Sequence, residues 1–180
     1  MSADNISPES ANKRLGKGMM IAAWVMALGG LTLFFNSVLD HQYNPNQQLN
    51  RATTQDESPE VILVRNKYGH YVATGSINDE AVVFLLDTGA TDVAIPEVLA
   101  RRLNLKRGAK VVSNTANGKV TAWRTHLERV NLGGIELINI RGSILPSMQS
   151  DEVLLGMSFL KQLEMIQRGD TLTIRDIGQN

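Results

Sequence analysis

The sequence predicts a mainly β domain over residues 60–180, held behind one membrane-crossing helix. Three observations predict it. Gly18–Leu39 carries no charge and is rich in Met, Ala, Leu, Val and Phe. Residues 40–59 are made largely of Gln, Asn, Thr and Pro with one Ser and few large apolar residues. Beyond them, short apolar runs recur between Asn, Asp and Gly turn signals, the pattern of strands rather than long helices.

The apolar run comes first. At about 1.5 Å per residue, a helix of that length spans roughly 30 Å, the thickness of a bilayer core. A soluble core helix would show polar residues at helical spacing, and almost none occur here. A signal peptide would have a shorter apolar region and small residues before its cleavage point; Ser37-Val38-Leu39 is a poor one. The reading is an uncleaved transmembrane helix at 19–39. Lys13, Arg14 and Lys17 precede it, so residues 1–18 are expected in the cytoplasm and residues 40–180 outside it, in the periplasm. Asn5-Ile6-Ser7 matches a glycosylation sequon but lies on the cytoplasmic side and reads as chance. Residues 40–59 are expected to form a loosely ordered linker.

The domain at 60–180 follows. Glu60–Arg65 and His70–Ile77 read as strands joined by Asn66-Lys67-Tyr68-Gly69. Asn78-Asp79-Glu80 is a turn before the strand Ala81–Leu86. Val93–Ile95 is a short strand, and Pro96-Glu97 opens a short helix with Val98, Leu99 and Leu103 on one face. Ala109–Asn114 and Lys119–Leu127 flank Asn117-Gly118, a tight-hairpin signal. Leu132-Gly133-Gly134-Ile135 is a second hairpin turn, followed by a strand over Ile135–Leu145 and a loop over Pro146–Asp151. Val153–Gly156 is a buried strand leading into a helix at about 157–163. The chain closes with Glu164–Gln167, a turn at Arg168-Gly169-Asp170, and Thr171–Arg175.

Composition narrows the chemistry. With 18 basic and 18 acidic side chains, the chain lacks the basic excess of a nucleic-acid binder. It has no cysteine, which excludes disulfides, Cys-ligated zinc and thiol catalysis. Its histidines, His41, His70 and His126, are far apart and form no zinc-hydrolase motif. No metal site or cofactor is implied. Gly156-Met157-Ser158 approaches a serine-hydrolase elbow but lacks the final glycine.

The strand Ala81–Leu86 ends in Asp87-Thr88-Gly89-Ala90. A carboxylate where a buried strand stops is costly unless something pairs with it or uses it. Asp87-Thr88-Gly89, the tight hairpin downstream, and then Leu154-Leu155-Gly156 occur in an order that resembles the retropepsin family of aspartic proteases. The resemblance covers residues from about 60 to 175 and is closest to the single-pass, membrane-anchored retropepsin-like proteases of Gram-negative bacteria. It implies a retropepsin-like acid-protease fold: a closed β-barrel-like half with a flap hairpin and short helices.

The resemblance also implies roles. Asp87 would be the catalytic carboxylate, with Thr88, Gly89 and Ala90 forming the active-site loop. Thr88 would hydrogen-bond across a subunit interface. Gly89 would bring its N–H close to the carboxylate. Asn114, Thr115, Ala116, Asn117 and Gly118 are flap candidates, or else an ordinary polar surface hairpin. Leu154, Leu155 and Gly156 would pack beneath the catalytic loop as structural support. Trp123 lines the cleft or packs in the core. Met157 stands where viral members carry an Arg.

This acid chemistry needs two carboxylates sharing a proton. The chain has one Asp-Thr-Gly, and Asp92 and Asp151 lack the flanking glycine. The expected partner is therefore a second copy: a homodimer with its two-fold axis between two Asp87 side chains, acting on a peptide or protein substrate. The segment after the span holds fifteen basic and sixteen acidic residues, which gives no strong electrostatic selection. Two other readings are open to the same sequence: a catalytically inactive retropepsin-like module that binds peptides or dimerises, and a membrane protein whose β domain only mediates assembly.

Overall fold

The computed structural model describes residues 8–49, 52–53, 59–115 and 118–177. The chain divides into two units between Asp40 and His41. The first is helical. Helix α1 (Pro8–Tyr43) starts there and runs three residues into the second unit. Its stretch Lys17–Tyr43 is long and apolar enough to cross a membrane. Met19, Trp24, Leu33 and Phe34 are all exposed, so its apolar residues do not gather on one face. A helix that is apolar all round fits lipid rather than a protein surface.

The second unit is mainly β. Its strands are β1 (Ala52–Thr53), β2 (Pro59–Val64), β3 (Val72–Ile77), β4 (Glu80–Leu86), β5 (Val93–Pro96), β6 (Lys110–Thr115) and β7 (Gly118–Leu132). They continue with β8 (Ile135–Leu145), β9 (Glu152–Leu155), β10 (Leu163–Arg168) and β11 (Thr171–Asp176). Helices α2 (Glu97–Arg102) and α3 (Met157–Leu160) are short.

Six strands close into a barrel in the order β3-β4-β9-β5-β8-β7, with β7 returning to β3 through Ser76↔Asn131 and Ile77↔Val130. Closure removes free edges from these strands. β6 pairs only with β7 and extends outside the ring. A second sheet, β1-β2-β11-β10, is antiparallel throughout. Turn chemistry sets the hairpin registers. Asn78 and Asp79, both at positive φ, close β3 onto β4; Gly133 and Gly134 do the same for β7 and β8.

Alternation places the core. Val61 and Leu63 are buried on β2, whereas Ile62 and Val64 are exposed. Phe84, Ile95, Leu127, Leu132, Ile144, Leu155 and Phe159 meet inside one cluster. On α2, Leu99 and the following Leu103 are buried, but Val98, expected on that face, is exposed. In so short a helix, Leu99 and Leu103 lie four apart and share the core face, and Val98 falls one step round. Strand β7 runs five residues past its expected end, because nothing between Leu127 and Gly133 breaks it. Helix α3 stops at Leu160 rather than 163, since Leu163 is already buried at the start of β10.

The expected loose linker is, in its first part, docked. Asn44 and Asn46 are buried. The Asn46 amide donates to the carbonyls of Val64 (2.9 Å) and Val72 (2.7 Å) and accepts from the Val64 N–H (2.8 Å). Asn44 Nδ2 donates to Thr74 Oγ1, and Asn66 Nδ2 to the Tyr43 carbonyl. Composition marks such residues as loop formers; it does not reveal that an amide can stand in for a missing strand neighbour.

Replacing Asn46 with alanine strands two carbonyls and one N–H in a buried place. A loss of about 2–4 kcal/mol is expected, read by thermal unfolding of the full-length chain in detergent. An unchanged midpoint would show that this docking contributes nothing.

Candidate active site

Strands β4 and β9 are parallel neighbours, and β5 meets the other side of β9 at Ala94↔Leu154. The loop 87–92 joins β4 to β5, so it must pass over the end of β9. Gly156 lies at that crossing. A Cβ there would fall 2.3 Å from the Asp92 carbonyl oxygen and 2.7 Å from that of Ala90. No side chain fits between two backbones so close.

Hydrogen bonds tie the loop to the segment below it. The Asp87 N–H donates to the Leu155 carbonyl (3.2 Å), the Met157 N–H to that of Ala90 (2.8 Å), and the Ser158 N–H to that of Thr91 (2.9 Å). Ser158 Oγ, buried, accepts from the Val93 N–H (3.1 Å) and donates to the Arg141 carbonyl (2.8 Å). Sequence reasoning weighed Ser158 only as a nucleophile; it is a strut joining α3, β5 and β8.

Within the loop, the Gly89 N–H donates to Asp87 Oδ1 at 2.8 Å. A Cβ on Gly89 would sit 3.1 Å from the same oxygen, so the glycine serves close approach here. Gly89 is not among the positive-φ glycines. Thr88 is exposed, and its hydroxyl has no partner among the described residues. Asp87 is half-buried. Asp92, five residues on, is engaged: its carboxylate pairs with Arg141 Nε (3.5 Å) and accepts from Ser143 Oγ (3.3 Å). Arg141, on β8, thus holds the loop's second carboxylate. Nothing in the linear sequence marks it, because β8 approaches the loop only through the barrel.

The face carrying Asp87 is readable from the register. Val83 lies opposite Glu152, and Leu85 opposite Leu154. These four are half-buried, whereas Val82, Phe84, Val153 and Leu155 point into the core. Leu154 joins a small apolar cluster with Ala94, Ala122 and Leu145, flanked by Val111, Val120 and Met148. Val111 on β6 and Val120 on β7 bring that hairpin against the cluster, and with Met148 and Leu154 they remain partly exposed.

Glu152 precedes Leu154 by two residues on the same face of β9. Its one hydrogen-bond donor among side chains is Ser150 Oγ (3.3 Å), and no cation pairs with it among the described residues. Burial pushes its carboxyl above the usual range.

The flap candidates divide. Asn114 and Thr115 end β6 and Gly118 opens β7, with Thr115↔Gly118 as the last pair; Ala116 and Asn117 lie outside the described residues. Trp123 packs against the main core, with Arg107 over its ring at 5.4 Å. Two hollows in the protomer surface lie elsewhere, between Asn104–Gly108 and Arg124–Glu128 and beside Asn139, Arg141 and Ser158. Asp87 belongs to neither and sits on an open face.

Residues 73–162 match the family described as "gag-polyprotein putative aspartyl protease". The chain is 31% identical over 176 residues to a protein in the cobV 5′ region of a Sinorhizobium species, covering 91% of this chain and 76% of the relative. It is 32% identical over 112 residues to protein RP867 of Rickettsia prowazekii (strain Madrid E), covering 60% of this chain and 47% of that one. Among solved structures it is similar to a retropepsin-like aspartic protease from Rickettsia conorii. There the TM-score is 0.54 and the identity 29%, over 66% of this chain and 92% of that one. The chain belongs to the retropepsin-like aspartyl protease family.

Two outcomes follow from this geometry. Gly156→Ala drives a methyl group into two carbonyls and is expected to cost about 1–3 kcal/mol or more, read as a lowered unfolding midpoint. Glu152 has a carboxyl pKa raised by burial, so its protonated form suits the fold. That favourable contribution is full below the unfolded pKa and is lost as pH rises through the folded one. Glu152→Gln is therefore expected to be more stable than wild type at neutral pH and equal to it in strong acid. Thermal unfolding at both pH values decides; a neutral-pH loss would contradict the assignment.

Proposed function

We propose that this chain is a membrane-anchored aspartic endopeptidase, active as a homodimer whose two Asp87 side chains form the catalytic dyad. One observation carries the reading. A carboxylate braced by the Gly89 N–H stands on an open face, and its nearest acidic neighbour in the loop, Asp92, is committed to Arg141 and Ser143. The protomer thus offers half of an acid–base pair. A second copy supplies the other half across a two-fold axis. Thr88 is exposed and its hydroxyl has no partner among the described residues, which supports its bonding across that axis in the dimer.

Two carboxylates brought together share one proton. The ionised one takes a proton from a water molecule as its oxygen attacks the peptide carbonyl carbon. The protonated one gives its proton to the carbonyl oxygen, and a tetrahedral diol forms. Proton transfer to the amide nitrogen then lets the C–N bond break, leaving a carboxylic acid, an amine and a dyad again holding one proton. No covalent enzyme intermediate and no cofactor enter. The apolar wall formed by Leu154, Met148, Val111 and Val120 suits hydrophobic residues beside the cut. The β6–β7 hairpin is the flap, closing over bound peptide. Residues 1–18 are cytoplasmic, the helix crosses the inner membrane, and the protease unit faces the periplasm.

The test uses full-length protein in detergent with a peptide library. Asp87→Asn is expected to abolish cleavage. Mixing wild-type and Asp87→Asn subunits one to one should leave about one quarter of the activity, since only fully wild-type dimers hold two carboxylates. Residual activity in the variant sinks the catalytic assignment. A half-activity mixture sinks the shared dyad.

A further inference from the structure

We propose that Glu152 is a specificity-determining residue that receives a lysine or arginine side chain of the substrate near the scissile bond. The inference rests on the protease reading above and adds a charge selection to its apolar cleft.

The placement is fixed by register. Glu152 pairs with Val83 across the parallel β4–β9 ladder, and Leu154 with Leu85. Side chains at paired positions of parallel strands share a face, and alternate positions return to it. Val83, Leu85, Glu152 and Leu154 therefore line the face that ends at Asp87. At about 3.3 Å per residue, Glu152 lies about 13 Å along the strands from Asp87. An extended peptide covers that distance in about four residues.

The chemistry selects a cation. Leu154 and its neighbours Met148, Val111 and Val120 are apolar. Glu152, two residues before Leu154 on the same face, is half-buried, with a serine hydroxyl and no arginine or lysine against it among the described residues. Most partly buried carboxylates elsewhere in the unit are matched: Glu60 by Arg175, Glu97 by Arg101 and Arg107, and Asp92 by Arg141. A desolvated carboxylate without a counter-ion costs free energy in the empty protein, and a cationic side chain arriving there offsets it. The burial that disfavours its charge in the empty protomer acts in the same sense. In a symmetric dimer each half-cleft carries one Glu152, so one cation is favoured on either side of the cut.

Full-length protein in detergent is given a mixed peptide library, and the products are sequenced by mass spectrometry. Wild type is expected to show Lys or Arg enriched within four residues of its cuts. Glu152→Gln should reduce that enrichment at least 10-fold, and Glu152→Lys should replace it with Asp and Glu. Unfolding midpoints of both variants establish that they are folded. Equal Lys and Arg enrichment in wild type and Glu152→Gln overturns the role of Glu152 and leaves the protease reading standing. A wild-type enzyme that makes no cut absent from the Asp87→Asn control overturns the protease reading and this inference with it.

Discussion

The crossing of the 87–92 loop over the end of β9 organises the rest of the domain. Because β9 lies between β4 and β5, the chain cannot pass from one to the other without bridging it. The bridge needs a residue without a side chain below it, which is Gly156, and backbone partners on both sides. Those come from Leu155, Met157 and Ser158. The same crossing lifts Asp87 out of the core at the end of a buried strand and keeps its backbone fixed. A carboxylate so placed has a rigid base and an open face, which acid–base chemistry requires. The four-residue helix α3 follows from the same constraint, since Ser158 must reach both Val93 and Arg141.

Much of this was legible in the chain because it is local. Asp87-Thr88-Gly89 after an apolar strand, and Leu154-Leu155-Gly156 before a turn, are short patterns whose residue types each have one main use. The Asn78-Asp79 and Gly133-Gly134 turns fixed two hairpins for the same reason. What was not legible depends on distant partners. Asn46 looks like a linker residue until β2 and β3 present unpaired backbone groups to it. Arg141 looks like one more surface charge until the barrel closes and brings it to Asp92. Val98 and Leu99 look alike until the core chooses between them. The missed features are all pairings between residues more than fifteen positions apart, or choices made by packing.

Polar residues around the site sort by whether their partners are already present. Asp92, Ser143 and Ser158 are satisfied within the protomer, and they hold the loop. Among the described residues Thr88 and Glu152 are not: one hydroxyl has no partner, and one partly buried carboxylate has no cation. Groups left incomplete in an otherwise well-paired domain mark where something else binds, because selection for stability alone would remove them. On this reading Thr88 waits for the second protomer and Glu152 for the substrate. Glu152 lies on the face of β4 and β9 that leads to Asp87, and Thr88 is the next residue in the loop.

A membrane anchor, as proposed, constrains how that surface is used. Two protomers whose helices enter the same membrane from the same side can be related by a two-fold axis only if the axis runs along the membrane normal. In the proposed dimer that axis passes between the two Asp87 side chains. An extended substrate crosses such an axis at right angles, so the bound peptide runs parallel to the membrane plane. Anchoring both protomers in one membrane, as proposed, also raises the effective concentration of one for the other above its value in free solution.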